Sequence, residues 1–392
     1  MSYKIKVKAD DFFVKEITNL PIKKEGLYSV YILKKSGWNT LDLLRRISQK
    51  FRIPFKNISY GGKKDRHATT EQYFTVKALC KDISLKEKNF SIEFVGFSPY
   101  PMGPKFIEGN QFKIAVRNIE QKEVEKALES FKKIKTYGFV NYFDDQRFGS
   151  FDPKQGFIAE KILKKHYSGA LKIYLTHIHP EDKKEAKERK RKMFNYWGNW
   201  QECLSIAQTE FEKKAFNHLV KNSKDFLTIL KKISKEELSM FFSAYQAFLW
   251  NEVVRRLILR LFKSDNLLFH KGLAGDYIFY KEVEENYWYI KDLKIPTPSS
   301  KAKMPDKITD EIYREVLNER EIKPSMFNLK KIRQAFFKEV QRDTVVIPKE
   351  LYCSVEDDEI YKHKLKLTVE FVLPRGSYAT MLIKRAFAKS KI

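Results

Sequence analysis

The spacing of apolar and polar residues changes character twice along the chain. Leu27 to Leu33 reads as a strand, and Asn39 or Thr40 is placed to cap a helix running through Leu41, Leu44 and Ile47. Ile58-Ser59-Tyr60 leads into Gly61-Gly62, Gln72 to Val76 reads as a strand, and Phe112, Ile114 and Val116 alternate with polar neighbours over Gln111 to Arg117. A helix is predicted over Lys122 to Lys133. From about Pro153 to Arg342 the period is mostly helical. The clearest case is Leu238 to Leu261, with Phe241, Phe242, Tyr245, Phe248, Leu249, Val253, Leu257 and Leu261 at helical spacing. Near the end the two-residue period returns: Leu365, Leu367, Val369, Phe371 and Leu373 alternate with Lys366, Thr368, Glu370 and Val372. A late strand so far from the early ones predicts an α+β fold in which both ends build one domain, residues 1–152 and 343–392, with the helical middle, 153–342, inserted into it.

Charge changes the picture from fold to partner. The 392 residues carry 76 Lys and Arg against 50 Asp and Glu, a formal net charge of +26. Such a balance points to a polyanion, and in the cell to nucleic acid. Aromatic residues, 14% of the chain, can stack on unpaired bases, which suits RNA better than duplex DNA. The plain alternative is a surface of solvated lysines. The 43% of hydrophobic residues suffices for a sizeable core and excludes disorder as the main state. Cys80, Cys203 and Cys353 are widely spaced, so neither a disulfide scaffold nor a CxxC site is expected. No apolar run approaches the roughly 18–20 residues of a membrane span, and Met1 to Val7 has no signal-peptide core. A cytoplasmic protein away from membranes is the expectation.

Two stretches concentrate chemistry. In Tyr60 to Gln72, two glycines permit a tight path after a strand, and one carboxylate, Asp65, sits among Lys63, Lys64, Arg66 and His67. Such neighbours favour the ionised carboxylate, which can serve as nucleophile or base. Alternatively, this is a charged turn with an ordinary surface Asp. GxxxxGK[ST] is absent, so it is not a P-loop. The second stretch, Gly138 to Gly149, offers Phe139, Tyr142, Phe143 and Phe148 for stacking, Asn141 for reading a base edge and Arg147 for holding a phosphate. The alternative is a buried aromatic cluster with a capping Asn. Asp144 and Asp145 lack a third carboxylate at ligand spacing, so no metal is expected there. His177 and His179 alternate before Pro180 as they would on one face of a strand, again without further ligands. Ser243 and Asn251 interrupt the apolar helix, either as packing residues or lining a cleft. Lys183 to Lys192 reads as an exposed basic helix or loop, either a solvated face or an RNA contact. Glu356 to Glu359 reads as a solvated turn. A zinc-deaminase signature and a Gly-rich loop for S-adenosylmethionine are both absent.

Several of these stretches match a known pattern. Gly62-Lys63-Lys64-Asp65-Arg66-His67-Ala68-Thr69-Thr70 resembles the G-x-K-D-[KR]-x-A-x-T motif of the TruD family of pseudouridine synthases. Asn141-Tyr142-Phe143 followed by Gln146-Arg147-Phe148-Gly149 resembles its N-Y-F-G-x-Q-R-F-G motif, with Asp144 in place of Gly. Ser243-Ala244 with Trp250-Asn251 resembles S-A-x5-F-N, with Trp250 in place of Phe. Leu373-Pro374-Arg375-Gly376-Ser377-Tyr378-Ala379-Thr380 resembles L-P-x-G-S-[FY]-A-T, and Lys6 with Asp11 to Glu16 resembles K-x4-D-F-x-V-x-E. Gly37 to Thr40 and Gly109 to Phe112 also fit. Gly61 stands where Ala is common, and the helical middle looks longer than in compact members.

The resemblance implies a catalytic domain on the pseudouridine-synthase sheet, mixed or antiparallel, with a largely helical TRUD domain inserted. It implies isomerisation of uridine to pseudouridine in tRNA, at position 13 in bacterial members, with no cofactor and no metal. Asp65 matches the catalytic aspartate, Phe143 the residue that stacks on the target base, Asn141 a neighbour that orients the site, Lys6 a lysine near the carboxylate and Phe12 an aromatic lining the pocket. Lys64, Arg66, His67, Arg147, Ser243 and Asn251 are the expected RNA-binding residues. A monomer bound to tRNA is expected; the rival is a non-catalytic RNA-binding protein on the same fold, against which the presence of Asp65 within its motif speaks.

Overall fold

The structure is a computed structural model that describes residues 3–77 and 82–390; Cys80 lies outside the described residues. The chain forms two compact units, residues 1–139 with 346–387 and residues 140–345 with 388–392.

The first unit is α+β. Its strands are β1 (Phe12–Thr18), β2 (Tyr28–Lys35), β3 (Ile58–Tyr60), β4 (Thr69–Lys77), β5 (Leu85–Glu87), β6 (Phe90–Ser98), β7 (Ile107–Ile119), β8 (Lys349–Asp357) and β9 (Leu365–Pro374). Among the described residues they make one nine-stranded mixed sheet in the order β8-β9-β7-β1-β4-β2-β6-β5, with β3 beside β4. β1 and β4 run parallel, pairing Val14 with Thr70, while β9 lies antiparallel on β7, with Val369 opposite Ile114. The late strand therefore joins the early ones, as its period required. The side chains of Leu367, Val369, Phe371 and Leu373 are buried and Lys366, Thr368 and Glu370 face outward, so one polar face and one core face explain the alternation. Helix α1 (Thr40–Lys50) lays Leu43, Leu44 and Ile47 against Tyr31, Leu33, Phe74 and Val76. Burying each such side chain contributes about 1.5–3 kcal/mol. Helix α2 (Gln121–Tyr137) buries Val124, Ala127, Phe131 and Ile134 and ends at Gly138, whose φ of +69° suits glycine.

Glu356 to Glu359 departs from the expected solvated turn. Asp358 is buried, accepting hydrogen bonds from Arg117 Nη1 at 3.0 Å and from the backbone N–H groups of Asn118 and Ile360. A guanidinium four residues past the middle of β7 draws it inward, which no local pattern reveals.

The second unit is mostly helical. The basic segment is a helix, α3 (Lys184–Asn195), and the long apolar segment is α4 (Lys235–Leu261), buried on most of its circumference. Ser234 caps α4 by accepting from the Glu237 N–H, and Thr209 and Glu212 form a capping box on the helix Glu210–Lys221. Short ribbons, Leu267–His270 with Tyr277–Tyr280 and Lys294–Pro296 with Gln341–Asp343, interrupt the helices. His177 and His179 are not in a strand. His177 terminates the helix Tyr167–Thr176, its N–H still bonded to the Ile173 carbonyl, and the two rings meet edge to face 4.6 Å apart. The division between units also differs from a boundary at 152/153: Asn141, Phe143 and Arg147 fall in the second unit. The Asn141 N–H bonds to the Thr344 carbonyl, within that same unit.

Candidate active site

In the first unit the site is built on the turn between β3 and β4. Gly61 is required by proximity, since a Cβ there would lie 2.5 Å from Ile107 Cδ1; Gly62 meets nothing and is tolerant. The turn is pinned from three sides. Thr40, at the start of α1, accepts from the Lys64 N–H at 3.0 Å and donates to Gln72 Oε1 at 2.9 Å, and Gln72 Nε2 donates to the Gly62 carbonyl. Lys64 Nζ reaches the buried Glu16 at 2.9 Å and donates to Asn110 Oδ1 at 2.6 Å. Arg66 Nε donates to the Gly37 carbonyl at 3.3 Å. Thr40, Glu16, Asn110 and Gly37 all lie in the short stretches that accompany the Asp65 motif.

Asp65, partly exposed, then presents its carboxylate to Lys6. Lys6 Nζ donates to Oδ2, and the His67 backbone N–H donates to Oδ1 at 2.9 Å. Burial opposes ionisation of this carboxyl; the Lys6 ammonium and the His67 N–H outweigh it and hold Asp65 below the usual carboxylate range. The Lys6 ammonium also sits 4.5 Å from the centre of the Phe12 ring, and Phe12 packs edge to face on Phe112. Lys6 has a left-handed φ of +59°. The structure thus brings together Lys6, Phe12, Lys64, Asp65, Arg66 and the His67 backbone. It adds a residue not singled out from sequence. Lys35 is fully buried and donates to the Asp65 carbonyl oxygen at 2.9 Å; burial pushes its ammonium down to about 8, against the pull of Asp65. The two-residue period of β2, with Tyr31 and Leu33 inward, carries the signal that Lys35 also faces inward.

In the second unit Asn141, Phe143, Arg147 and Asn251 meet. Asn251 Oδ1 accepts from the Phe143 N–H at 2.9 Å and its Nδ2 donates to the Phe143 carbonyl at 2.8 Å, so α4 grips the Phe143 backbone. Arg342 donates to the Asn141 carbonyl and Oδ1, both at 2.9 Å, and stacks its guanidinium 4.0 Å from the Phe143 ring centre. Trp250 meets the same ring edge to face, and the Arg147 guanidinium lies 5.8 Å away. Asn141 donates its amide to the Asp343 carbonyl. Asn251, read from sequence as contacting RNA, has both ends of its amide engaged here; Ser243 is apart from this cluster, bonding back to the Ser239 carbonyl one turn earlier. Asp145 accepts from the Leu273 N–H and the Tyr277 hydroxyl, each at 2.8 Å. Among the described residues no group of three or more His, Cys, Asp or Glu could hold a metal ion, and no helix is long and apolar enough to cross a membrane.

The nine-stranded mixed sheet of the first unit and the largely helical second unit belong to a fold shared with a solved pseudouridine synthase, which places the chain in that class of RNA-modifying enzyme. Within that class the chain belongs to the tRNA pseudouridine synthase D (TruD) family, whose model matches residues 1–386. It is 34% identical to a Methanococcus maripaludis protein named probable tRNA pseudouridine synthase D 1, over 98% of this chain and 99% of the relative. It is 33% identical to the tRNA pseudouridine synthase D of Aquifex aeolicus, over 99% and 98%. The crystal structure of a Methanosarcina mazei protein assigned to tRNA pseudouridine synthase D (TruD) superposes with a TM-score of 0.75 at 25% identity, covering 98% of this chain and 93% of that one.

Proposed function

We propose that this protein converts uridine to pseudouridine in tRNA, at position 13, with Asp65 as the group that acts on the ribose of the target nucleotide. The reaction breaks the C1′–N1 bond and forms C1′–C5; the hydrogen leaves C5 and N1 gains one, so atoms balance with no redox change and no hydrolysis. Nothing in that balance calls for a cofactor or a metal. The observation that carries the reading is the ion pair of Lys6 and Asp65 inside the family's motif. It keeps the carboxylate charged and aimed, ready to act as nucleophile or base. Phe12 lines the pocket beside it. Arg66 and His67 expose their side chains next to Asp65 and are suited to phosphates, whereas Lys64 holds the turn. Phe143 supplies an aromatic face for the detached uracil, since stacking tolerates rotation about the ring normal. Asn251 grips the Phe143 backbone and Asn141 holds Arg342 against its ring, rather than touching the base, and Arg147 is its cationic neighbour. The test is Asp65→Asn, nearly isosteric but unable to act as nucleophile or base, assayed on tRNA with chelator and no added cofactor. We expect tRNA binding to persist and pseudouridine formation to vanish. Turnover by the well-folded variant would remove Asp65 from the mechanism, and binding without turnover by the unaltered protein would make it an RNA-binding protein only.

A further inference from the structure

Lys6 reaches Asp65 from the top of a short arch, Lys4 to Asp11, that precedes β1, and its left-handed backbone would not persist unless the surroundings imposed it. Both feet of that arch rest on one residue. At the first foot the backbones of Lys4 and Arg117 exchange hydrogen bonds, Lys4 N–H to the Arg117 carbonyl at 2.9 Å and Arg117 N–H to the Lys4 carbonyl at 2.8 Å. At the second, the Arg117 guanidinium takes Asp11 through Nε at 2.9 Å and through Nη2 at 2.8 Å, and Asp11 in turn accepts from the Lys8 N–H at 2.8 Å. The remaining donors of Arg117 reach into the turn after β8, Nη1 to Asp358 at 3.0 Å and Nη2 to Glu359 at 2.8 Å. That turn touches the arch again, through the Lys8–Glu359 ion pair at 3.3 Å and through Lys4, whose ammonium lies 5.0 Å from the Tyr361 ring centre. The side chains of Arg117, Asp11 and Asp358 are all but sealed from solvent.

We infer that Arg117 is a positioning residue for the isomerisation, holding the Lys4–Asp11 arch on the turn at residues 358–361 so that Lys6 meets Asp65. The inference rests on the reading that Asp65, supported by Lys6, carries the chemistry. A planar fork is what this place demands, because three carboxylates converge on one cation; without it they repel one another and the arch loses its second foot.

The experiment is a double-mutant cycle with Arg117→Gln and Lys6→Met, read as kcat, KM for tRNA and the pH dependence of kcat, with circular dichroism to establish folding. Arg117→Gln alone should lower kcat about tenfold or more, change KM by less than about threefold, and move the acid limb to higher pH as Lys6→Met does. In the Lys6→Met background it should add less than about twofold, since the residue it positions is already gone. An equal loss in both backgrounds, or an unchanged kcat in a folded Arg117→Gln protein, overturns the inference. Should Arg117→Gln fail to fold, Glu359→Gln, which removes a partly exposed arm of the same hub, decides by the same cycle with a smaller expected loss of about threefold. Asp65→Asn run alongside separates the outcomes: activity there defeats the reading of the site, whereas a dead Asp65→Asn with an uncoupled Arg117 defeats the positioning role alone.

Discussion

Two lysines address Asp65 from opposite ends, one through its carboxylate and one through its carbonyl, and they differ in what they control. Lys6 sets the charge. Because the Asp65 carboxyl is held below its ordinary value, ionised Asp65 persists well into the acid range, and activity that needs it declines only as pH falls through that lowered pKa. Lys6→Met removes the cation, so the pKa rises and the acid limb of kcat moves to higher pH. A pH–rate profile of the variant that overlays the parent's would show that Lys6 does not govern Asp65. At Phe143 the ring is backed by Arg342 and edged by Trp250. Phe143→Ala should slow turnover about tenfold or more, in line with roughly 1–3 kcal/mol for stacking on one base, and Phe143→Tyr should keep more. An alanine variant with parental kcat and KM would make the ring core only. The pairing of Lys6 with Asp65 was legible because both sit in motifs; the period of β2 could have turned Lys35 inward but not named its partner, and Arg342 gave no sign at all, since what a buried cation holds is known only from the partner that a distant segment supplies.

Among the elements, α3 shows how far a charge run can be read. Its sequence declares a basic exposed helix or loop, and the structure makes it a helix, but several of its cations are already occupied. Lys190 pairs with Asp182 at 2.7 Å, Arg189 bridges Glu212 and Gln208, and Lys187 donates to the Pro180 carbonyl. These hold the helix on its own unit. Lys183, Lys184 and Arg191 are exposed. If the helix lies on the path of tRNA, reversing these three to Glu should make the salt dependence of affinity shallower by about two to three log–log units, near one for each phosphate no longer neutralised. Turnover at saturating tRNA should be preserved. A slope unchanged from the parent's would leave α3 a solvated face. Similar logic separates the two polar residues of α4: the helix period exposed Ser243 and Asn251 as interruptions, but only the fold shows that one bonds back along its own helix and the other grips Phe143.

For the molecule as a whole, the return of the two-residue period after residue 364 was enough to place the late strand beside the early ones, because a strand with one apolar face must find a sheet. The unit boundary near residue 140 was not, because Asn141 to Arg147 keeps the look of a loop trailing from the sheet until its backbone partners on α4 and at Thr344 are known. The placement of β9 between β7 and β8 bears on how the protein is made. During synthesis β7 leaves the ribosome with one edge bare and waits while the entire helical unit is translated, some tens of seconds at about 5–20 residues per second. A bare edge is a template for pairing with other chains. The helical unit, second in sequence, has nearly all of its partners first, lacking only the stretch after residue 387 that bridges Phe269, whereas the nine-stranded sheet can close only when β8 and β9 emerge. The nascent chain thus matures from the middle outward, and the interval before closure is when chaperones have most to protect.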